Sequence, residues 1–388
     1  MTQLRGAWLE DRGTQRVMAL LEDAGFEAFA VGGCVRNALL QVPVSDVDIS
    51  TLARPETVMQ LAQDAGLKAI PTGIDHGTVT VVAHGEGYEV TTYRADVETD
   101  GRRAVVRFAD DIHEDALRRD FTMNALYADR RGHVVDPLGQ GLADLRARRL
   151  RFIQDAETRI REDYLRILRF FRFSAWYGDK DQGYDAEALA AIAANVDGLD
   201  RISSERLGAE LRKLLTAPDP LMAVAVMERT GVLAHVMPGA VCRPLGPLLH
   251  HETVLGLAPE ALRRMAVMGF FDGAALRLSK PDQRKLALYQ RLISPDAGLA
   301  ELAWREGADI ARDVAALRAA SLEAPLPEGI AQQVALGAGA VFPVTARDLM
   351  PTYQGAQLGE SLSALQALWI ASGFKMDKQA LLATLDEG

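Results

Sequence analysis

The sequence predicts an α+β chain: an N-terminal part built from a mixed sheet plus helices, then an all-α remainder. Three observations carry this. Residues 26–51 read as an apolar strand, the pair Gly32-Gly33, a short helix, and a second strand that alternates apolar and polar. Residues 77–83 and 88–93 are β-rich and joined by 84–87, which predicts a hairpin. From Arg146 onward no convincing run of strands occurs, and helical patterns punctuated by Pro and Gly take over.

Taken in order, residues 3–25 predict one helix with Val17, Leu20 and Leu21 as its apolar stripe. The 26–51 stretch carries the first chemistry. Gly32-Gly33 lets the backbone approach a ligand closely. The helix that follows offers free N–H groups and a positive dipole end, which suits phosphate, and Arg36 adds a charge on the same side. In the second strand Asp46 and Asp48 leave one face, while Val47 and Ile49 point to the core. Two adjacent carboxylates repel unless a cation sits between them, and Mg²⁺ favours one or two carboxylates with phosphate oxygens. Alone, an Asp-x-Asp pair is more often a turn or a solvated face. The ordered set is far more specific than its parts.

Residues 55–65 predict a helix, with Pro55 in its first turn and Gly66 just past its end. A short strand follows at 67–70. On the second hairpin strand Glu89 reads either as a third carboxylate near the metal pair or as an exposed strand acid. Residues 95–110 are polar and contain Asp100-Gly101-Arg102-Arg103, which predicts a mobile loop beside the site. Residues 111–129 predict one helix carrying Arg118, Arg119 and Asp120, with Asn124 a turn on. Such an Arg-Arg-Asp run is commonly a surface salt-bridge cluster. A last short strand is expected at 133–137.

Residues 162–173 predict a helix on which Asp163, Arg166, Arg169 and Arg172 recur every third residue and share a broad face. Leu165, Leu168 and Phe171 form a second, apolar series. Read alone, this is an amphipathic core helix with a basic solvent side. Further helices are expected at 185–195, at 203–216 with Ser203 capping, and at 221–229 after Pro218-Asp-Pro220. The Ala-rich segment 312–320 reads as a packing helix, and His250-His251 as a helix-end or surface pair.

Bulk properties narrow the function. A chain of 388 residues implies two or more structural units, and 48% hydrophobic content supports a core. No apolar run approaches the roughly 20 residues that span a membrane, and the N-terminus lacks a signal-peptide core. Two cysteines, Cys34 and Cys242, exclude a disulfide framework and a Cys-based zinc cluster. A cytoplasmic protein with no membrane partner is expected. A net charge of −10 argues against broad nucleic-acid affinity, yet the arginines concentrate between 146 and 172, a local basic island. The GxGxxG spacing of a dinucleotide-binding fold is absent, and no His-Asp dipeptide occurs.

The ordered set at 26–51 resembles the signature of polymerase-β-like nucleotidyltransferases. In detail the chain resembles the class II CCA-adding enzyme and bacterial poly(A) polymerase family. The run Arg118-Arg-Asp-Phe-Thr-Met-Asn-Ala125 matches that family's RRDFTxNA motif, and Glu162, Asp163 and Arg166 match its EDxxR motif. The likeness is good over 26–178, moderate over 201–233 and thin over 242–339. Residues 345–382 resemble the tail of the CCA-adding group. One departure is Asn37, where the family commonly has Asp.

The resemblance implies a nucleotidyltransferase head at 1–147, a helical neck at 148–230, and an RNA-binding body and tail at 231–388. It implies template-independent addition of CCA to the 3′ end of tRNA from CTP and ATP, releasing pyrophosphate. Asp46 and Asp48 would be catalytic and hold Mg²⁺. Gly32, Gly33, Arg36, Arg118, Arg119, Asp120 and Asn124 would bind the nucleotide's phosphates and ribose. Glu162, Asp163, Arg166, Arg169 and Arg172 would belong to the helix that reads the base. Poly(A) addition is the second reading, and A-only or CC-only addition a third. A non-catalytic RNA-binding module is the reading from another class; the intact carboxylate pair and both motifs oppose it. The acidic chain without a basic tail favours one defined RNA over many.

Overall fold

A computed structural model describes residues 2–99, 104–179, 181–294 and 296–386. Its strands are β1 (Ala28–Val31), β2 (Asp48–Thr51), β3 (Lys68–Gly73), β4 (Thr78–Ala83), β5 (Glu86–Thr92), β6 (Arg94–Thr99), β7 (Ala104–Phe108), β8 (Tyr127–Ala128) and β9 (Val134–Val135). Seven of them form one mixed sheet in the order β3-β4-β5-β2-β1-β8-β9. Among the described residues only the β2–β5 pair is parallel. Alternation decides the faces: Val79, Val81 and Ala83 of β4 and Tyr88 and Val90 of β5 are buried. They pack with Val17, Met18 and Leu21 of one helix and Val58 and Ala62 of another.

Those helices are α2 (Arg12–Asp23) and α4 (Pro55–Asp64). The single helix expected over 3–25 is broken into α1 (Ala7–Glu10) and α2. Asp11 between them has extended backbone, and its carboxylate accepts from the N–H groups of Gly13 and Thr14. That cap stops one helix and starts the next. The Tyr88 hydroxyl donates to the same carboxylate at 2.6 Å. A Cβ on Gly13 would meet that hydroxyl oxygen at 2.2 Å, so only glycine fits there.

Three further expectations are corrected. The mobile loop expected over 95–110 is instead the antiparallel hairpin β6–β7, with Arg94 opposite Phe108. Ladder pairing lets the backbone N–H and C=O groups of the two segments satisfy each other. Its Asp100, Gly101, Arg102 and Arg103 lie outside the described residues.

The helix expected over 111–129 stops early, as α5 (Ile112–Leu117). Phe121 is extended, residues 122–124 form a 3₁₀ turn, and β8 follows. Phe121 is fully buried against Phe152, Phe170 and Phe173, with ring centroids at 5.0, 6.2 and 5.4 Å. That packing overrides local helix propensity.

After α6 (Gly141–Arg146), the helix expected over 162–173 is also split. It becomes α7 (Ala156–Glu162) and α8 (Leu165–Tyr177), with Asp163 extended between them. The apolar series holds: Leu165, Leu168 and Phe171 are buried. α8 packs on α10 (Ser204–Leu215) and α11 (Leu221–Arg229), and α7 on α9 (Ala186–Ala194). Ser203 occupies the cap position of α10, but its side chain makes no capping hydrogen bond.

The chain divides into two compact units, Met1–Pro238 and Gly239–Gly388. Among its described residues the second is helical. The helix at Ala308–Ser321 is its centre, with Val314 and Leu317 fully buried. His250-His251 sits inside the helix Leu245–Leu255 rather than at its end. His251 is buried, with Nε2 3.2 Å from the Ala324 carbonyl. No described helix is long and apolar enough to cross a membrane.

Candidate active site

The first unit holds an open cleft of about 540 Å³ between the end of β1 and the start of β2, the turn after α5, and α8. Its floor begins where β1 ends. Gly32 has φ 71° and ψ −113° and caps α3 (Gly33–Leu39). That φ favours glycine, and a Cβ would also come within 3.3 Å of the Arg119 guanidinium. At Gly33 a Cβ would meet nothing nearer than Arg36 at 3.9 Å, so space lies open above it.

Arg36 is only 6% exposed but lines the cleft. It donates to Asn124 Oδ1 at 2.5 Å, to Asn37 Oδ1 at 2.8 and 3.2 Å, and to the Tyr177 hydroxyl at 2.9 Å. These three acceptors are neutral. Burial lowers its pKa, while Tyr177 and Asp120 push the other way.

Asp48 is the first residue of β2 and stands in register with Glu89 of β5. Asp46 lies before the strand, exposed, and accepts from Ser45 Oγ at 3.0 Å. The expected two-strand-position pair is therefore one strand residue and one from the coil leading into it. Burial, then Glu89 and Asp46, raise the Asp48 carboxyl above its usual range, against the pull of Arg119. Like charges crowd here, and a divalent cation would relieve them; the donor set fits one. Among the described residues no three His, Cys, Asp or Glu side chains gather closely enough to hold an ion by themselves.

Arg118 and Arg119 are held from behind by Asp115, at 2.8 and 3.1 Å. Asp115 also accepts from the Tyr127 hydroxyl at 2.7 Å and from Ser50 Oγ at 3.2 Å. Its side chain is fully buried. Burial alone would raise its pKa, but Arg119 and Arg118 hold it well below the carboxylate range. The sequence reading missed Asp115. Its signal was its place three and four residues before the two arginines on one helix turn.

Asp120 and Asn124 are buried and joined at 2.9 Å. Asp120 also accepts from Arg169 at 2.5 and 2.7 Å. A continuous chain, Arg36–Asn124–Asp120–Arg169, thus ties α3 to α8 through the 3₁₀ turn. The expected helix carrying Arg118 to Asn124 is replaced by this turn, and it is the turn that lets Asp120 face Arg169.

On α8 only Arg166 and Arg169 of the basic series reach the cleft. Arg172 turns away and pairs with buried Glu210 at 3.1 Å; burial lowers its pKa. Glu162 lies behind the cleft wall and pairs with Arg166 at 2.5 Å and with Arg159. Asp163 reaches the cleft from the break before α8. Its Oδ1 accepts from the Leu165 N–H, and its Oδ2 from Arg206 of α10 at 2.7 Å. Arg206 and Arg94, the first residue of β6, line the cleft and were not singled out by the sequence. Nothing local marks an arginine on α10 as a cleft residue.

Residues 28–151 match the family model described as "Poly A polymerase head domain", and 185–242 the one described as "Probable RNA and SrmB- binding site of polymerase A". The mouse mitochondrial CCA tRNA nucleotidyltransferase 1 is 31% identical over 395 residues, spanning 96% of this chain and 89% of the mouse protein. The chain belongs to the CCA-adding tRNA nucleotidyltransferase family. The CCA-adding enzyme of Leuconostoc citreum is 45% identical over 203 residues, 52% of this chain and 48% of that protein. Among solved structures, the Bacillus stearothermophilus CCA-adding enzyme in complex with CTP superposes with TM-score 0.73 and 28% identity, covering 97% of this chain and 96% of the other. The Thermotoga maritima CCA-adding enzyme complexed with tRNA, at TM-score 0.70 and 18% identity, shares the fold over the full length of both chains. Family membership agrees with the fold class and the resemblance read from the motifs.

Proposed function

We propose that this chain adds CCA to the 3′ end of tRNA, taking CTP and ATP and releasing pyrophosphate. The observation that carries the reading is one cleft that holds Asp48, the Gly32-Gly33 floor, Arg119, and the Asp163–Arg166 pair. One of the two carboxylates proposed for a metal, donors for a triphosphate, and a base-reading edge all open on one volume, with Asp46 two residues before Asp48.

Asp46 and Asp48 would hold Mg²⁺, with substrate phosphates and water as the remaining ligands. A metal held by those carboxylates would supply Lewis acidity for the terminal ribose hydroxyl and positive charge for the leaving pyrophosphate. The backbone over Gly33, together with Arg36 and Arg119, orients the triphosphate; a guanidinium fork matches phosphate oxygens. Asn37 gives Arg36 a neutral acceptor where the family commonly has a carboxylate, so the Arg36 charge stays available to phosphate. The hydroxyl attacks the α-phosphorus in line. The new O–P bond forms as the bond to pyrophosphate breaks, and no covalent enzyme intermediate is needed.

Asp163 offers an acceptor and Arg166 donors, which together can pair with the edge of an incoming base and replace a nucleic-acid template. Glu162 aims Arg166, and Arg206 aims Asp163. We assign residues 1–147 to the head, 148–230 to the neck, and 231–388 to an RNA-binding body and tail. We place the protein in the cytoplasm; its two cysteines, Cys34 and Cys242, are buried thiols not joined in a disulfide, which suits a reducing compartment.

The test supplies tRNA lacking its 3′ CCA with CTP and ATP, and sizes the product. Three added nucleotides, and none from ATP alone, are expected. A long ladder from ATP alone on unrelated RNA would replace this reading with poly(A) addition.

A further inference from the structure

At the C-terminal end of α8, roughly 20 Å from Asp163 at 1.5 Å per residue, a second pocket of about 230 Å³ opens. Its walls are Phe173, Trp176 and Tyr177, and Arg36, Arg172 and Lys213 stand around them. Arg36 and Phe173 line this pocket and the cleft alike, so the two are neighbours separated by those side chains.

The aromatic wall is held in place. The Trp176 indole N–H donates to the Lys213 carbonyl at 2.7 Å, yet the residue is 39% exposed. Tyr177 is pinned by Arg36, whose guanidinium lies 4.1 Å from its ring centroid. A half-exposed, rigid indole costs little to order when a flat ligand stacks on it. The charge around it is specific too. Glu210 balances Arg172. Arg36 and Lys213 are left to face an anion, since the acceptors of Arg36 are neutral. Two cations suit a phosphodiester. A free nucleoside triphosphate, with about four charges, would be under-neutralised here.

Resting on the proposed nucleotide transfer, we infer that this pocket seats one unpaired nucleotide of the RNA strand near its 3′ end. The base stacks on Trp176 and Tyr177, and Lys213 and Arg36 flank its phosphate. Aromatic platforms beside a basic rim are the usual physical means of holding single strands without reading their sequence. A strand seated here lies next to the cleft, on the far side of Arg36 from Gly33.

Fluorescence anisotropy of full-length protein with 5′-labelled tRNA lacking CCA tests this. One RNA keeps its unpaired 3′ nucleotide, and one is trimmed flush. For the wild type, trimming should weaken binding roughly fivefold to a hundredfold, the effect of one base–aromatic stack of about 1–3 kcal/mol. Trp176→Ala should lose that much on the untrimmed RNA and no longer respond to trimming, whereas Trp176→Phe should keep most of the response. Lys213→Gln, on the exposed rim, should reduce the trimming effect and its salt dependence, which serves if Trp176→Ala folds poorly. The inference is overturned if Trp176→Ala responds to trimming as the wild type does. It is equally overturned if the variants raise the KM for CTP while RNA binding stays unchanged, which would give the pocket to the incoming nucleotide. A wild type that binds both RNAs but adds no CMP to either would instead sink the proposed transfer.

Discussion

Arg206, on α10, reaches back 43 residues to hold the Asp163 carboxylate at 2.7 Å. Asp163 sits in extended backbone between two helices, where nothing in its own segment beyond the Leu165 N–H would fix its direction. Arg206 is therefore a positioning residue for the base-reading pair. Arg206→Ala should scramble nucleotide choice more than it weakens RNA binding. Base-edge hydrogen bonds are worth about 1–3 kcal/mol of discrimination. The ratio of kcat/KM for CTP over UTP should fall roughly tenfold or more, as it should for Asp163→Ala. An unchanged ratio in both variants would return this segment to a packing role.

The carboxylates at and just before the start of β2 carry the second expectation. Asp46→Ala and Asp48→Ala should each abolish nearly all CMP transfer while tRNA binding, followed by anisotropy, stays near wild type. Glu89 faces Asp48 across the β2–β5 register and raises its pKa by proximity. Glu89→Gln should thus lower the Mg²⁺ affinity read from the activity titration less severely than either aspartate change. Full transfer by Asp48→Ala would remove the metal assignment.

Asp115 holds two cleft arginines while making no contact with the cleft itself. Breaking a buried ion pair by removing one partner costs about 3–5 kcal/mol. Asp115→Asn keeps the shape and an acceptor for the Tyr127 hydroxyl, but leaves Arg118 and Arg119 without their carboxylate. Thermal melting should show a Tm drop of several degrees, and the KM for CTP should rise as Arg119 loses its aim. A variant that melts like the wild type with an unaltered KM would show that the arginines are held by other contacts.

What the sequence made legible was local. The strand, Gly-Gly turn, helix and acid pair lie within residues 26–51, and each is set by near neighbours or by two-residue alternation. Of the three helix breaks, the one after α5 was not legible, because its cause lies elsewhere in the chain. Phe121 leaves the helix to join Phe152, Phe170 and Phe173, and that turn is what brings Asp120 to Arg169. A three-residue recurrence placed Arg172 beside Arg166 and Arg169, but Glu210 on α10 draws it away. Asp115, Arg206 and Glu210 act through partners that a linear pattern does not reveal. Asp48 gains Glu89 as a neighbour only through a parallel pairing of strands, across a long sequence separation.

The Asp120–Arg169 pair gives the chain an acid-sensitive joint between the turn and α8. Burial alone would raise the Asp120 pKa, but Arg169, Asn124 and the Phe121 N–H hold it below the ordinary value. A carboxyl with a lowered folded pKa contributes stability above its unfolded pKa of about 3.9, and that contribution fades as pH falls through the folded value. Between those two values the unfolded chain binds more protons, so stability rises with pH. Urea unfolding from about pH 3 to pH 6 should show this rise in the wild type and a shallower one in Asp120→Asn, which has no proton to lose there. Comparing slopes isolates Asp120 from other carboxylates, Asp115 among them, because they titrate alike in both proteins. Arg169→Ala should act in the opposite sense: without the guanidinium, burial dominates and the folded Asp120 pKa rises, so once it exceeds the unfolded value the folded chain binds more protons and this carboxyl's contribution falls as pH rises. Identical slopes in all three proteins would show that the pair is not coupled to folding.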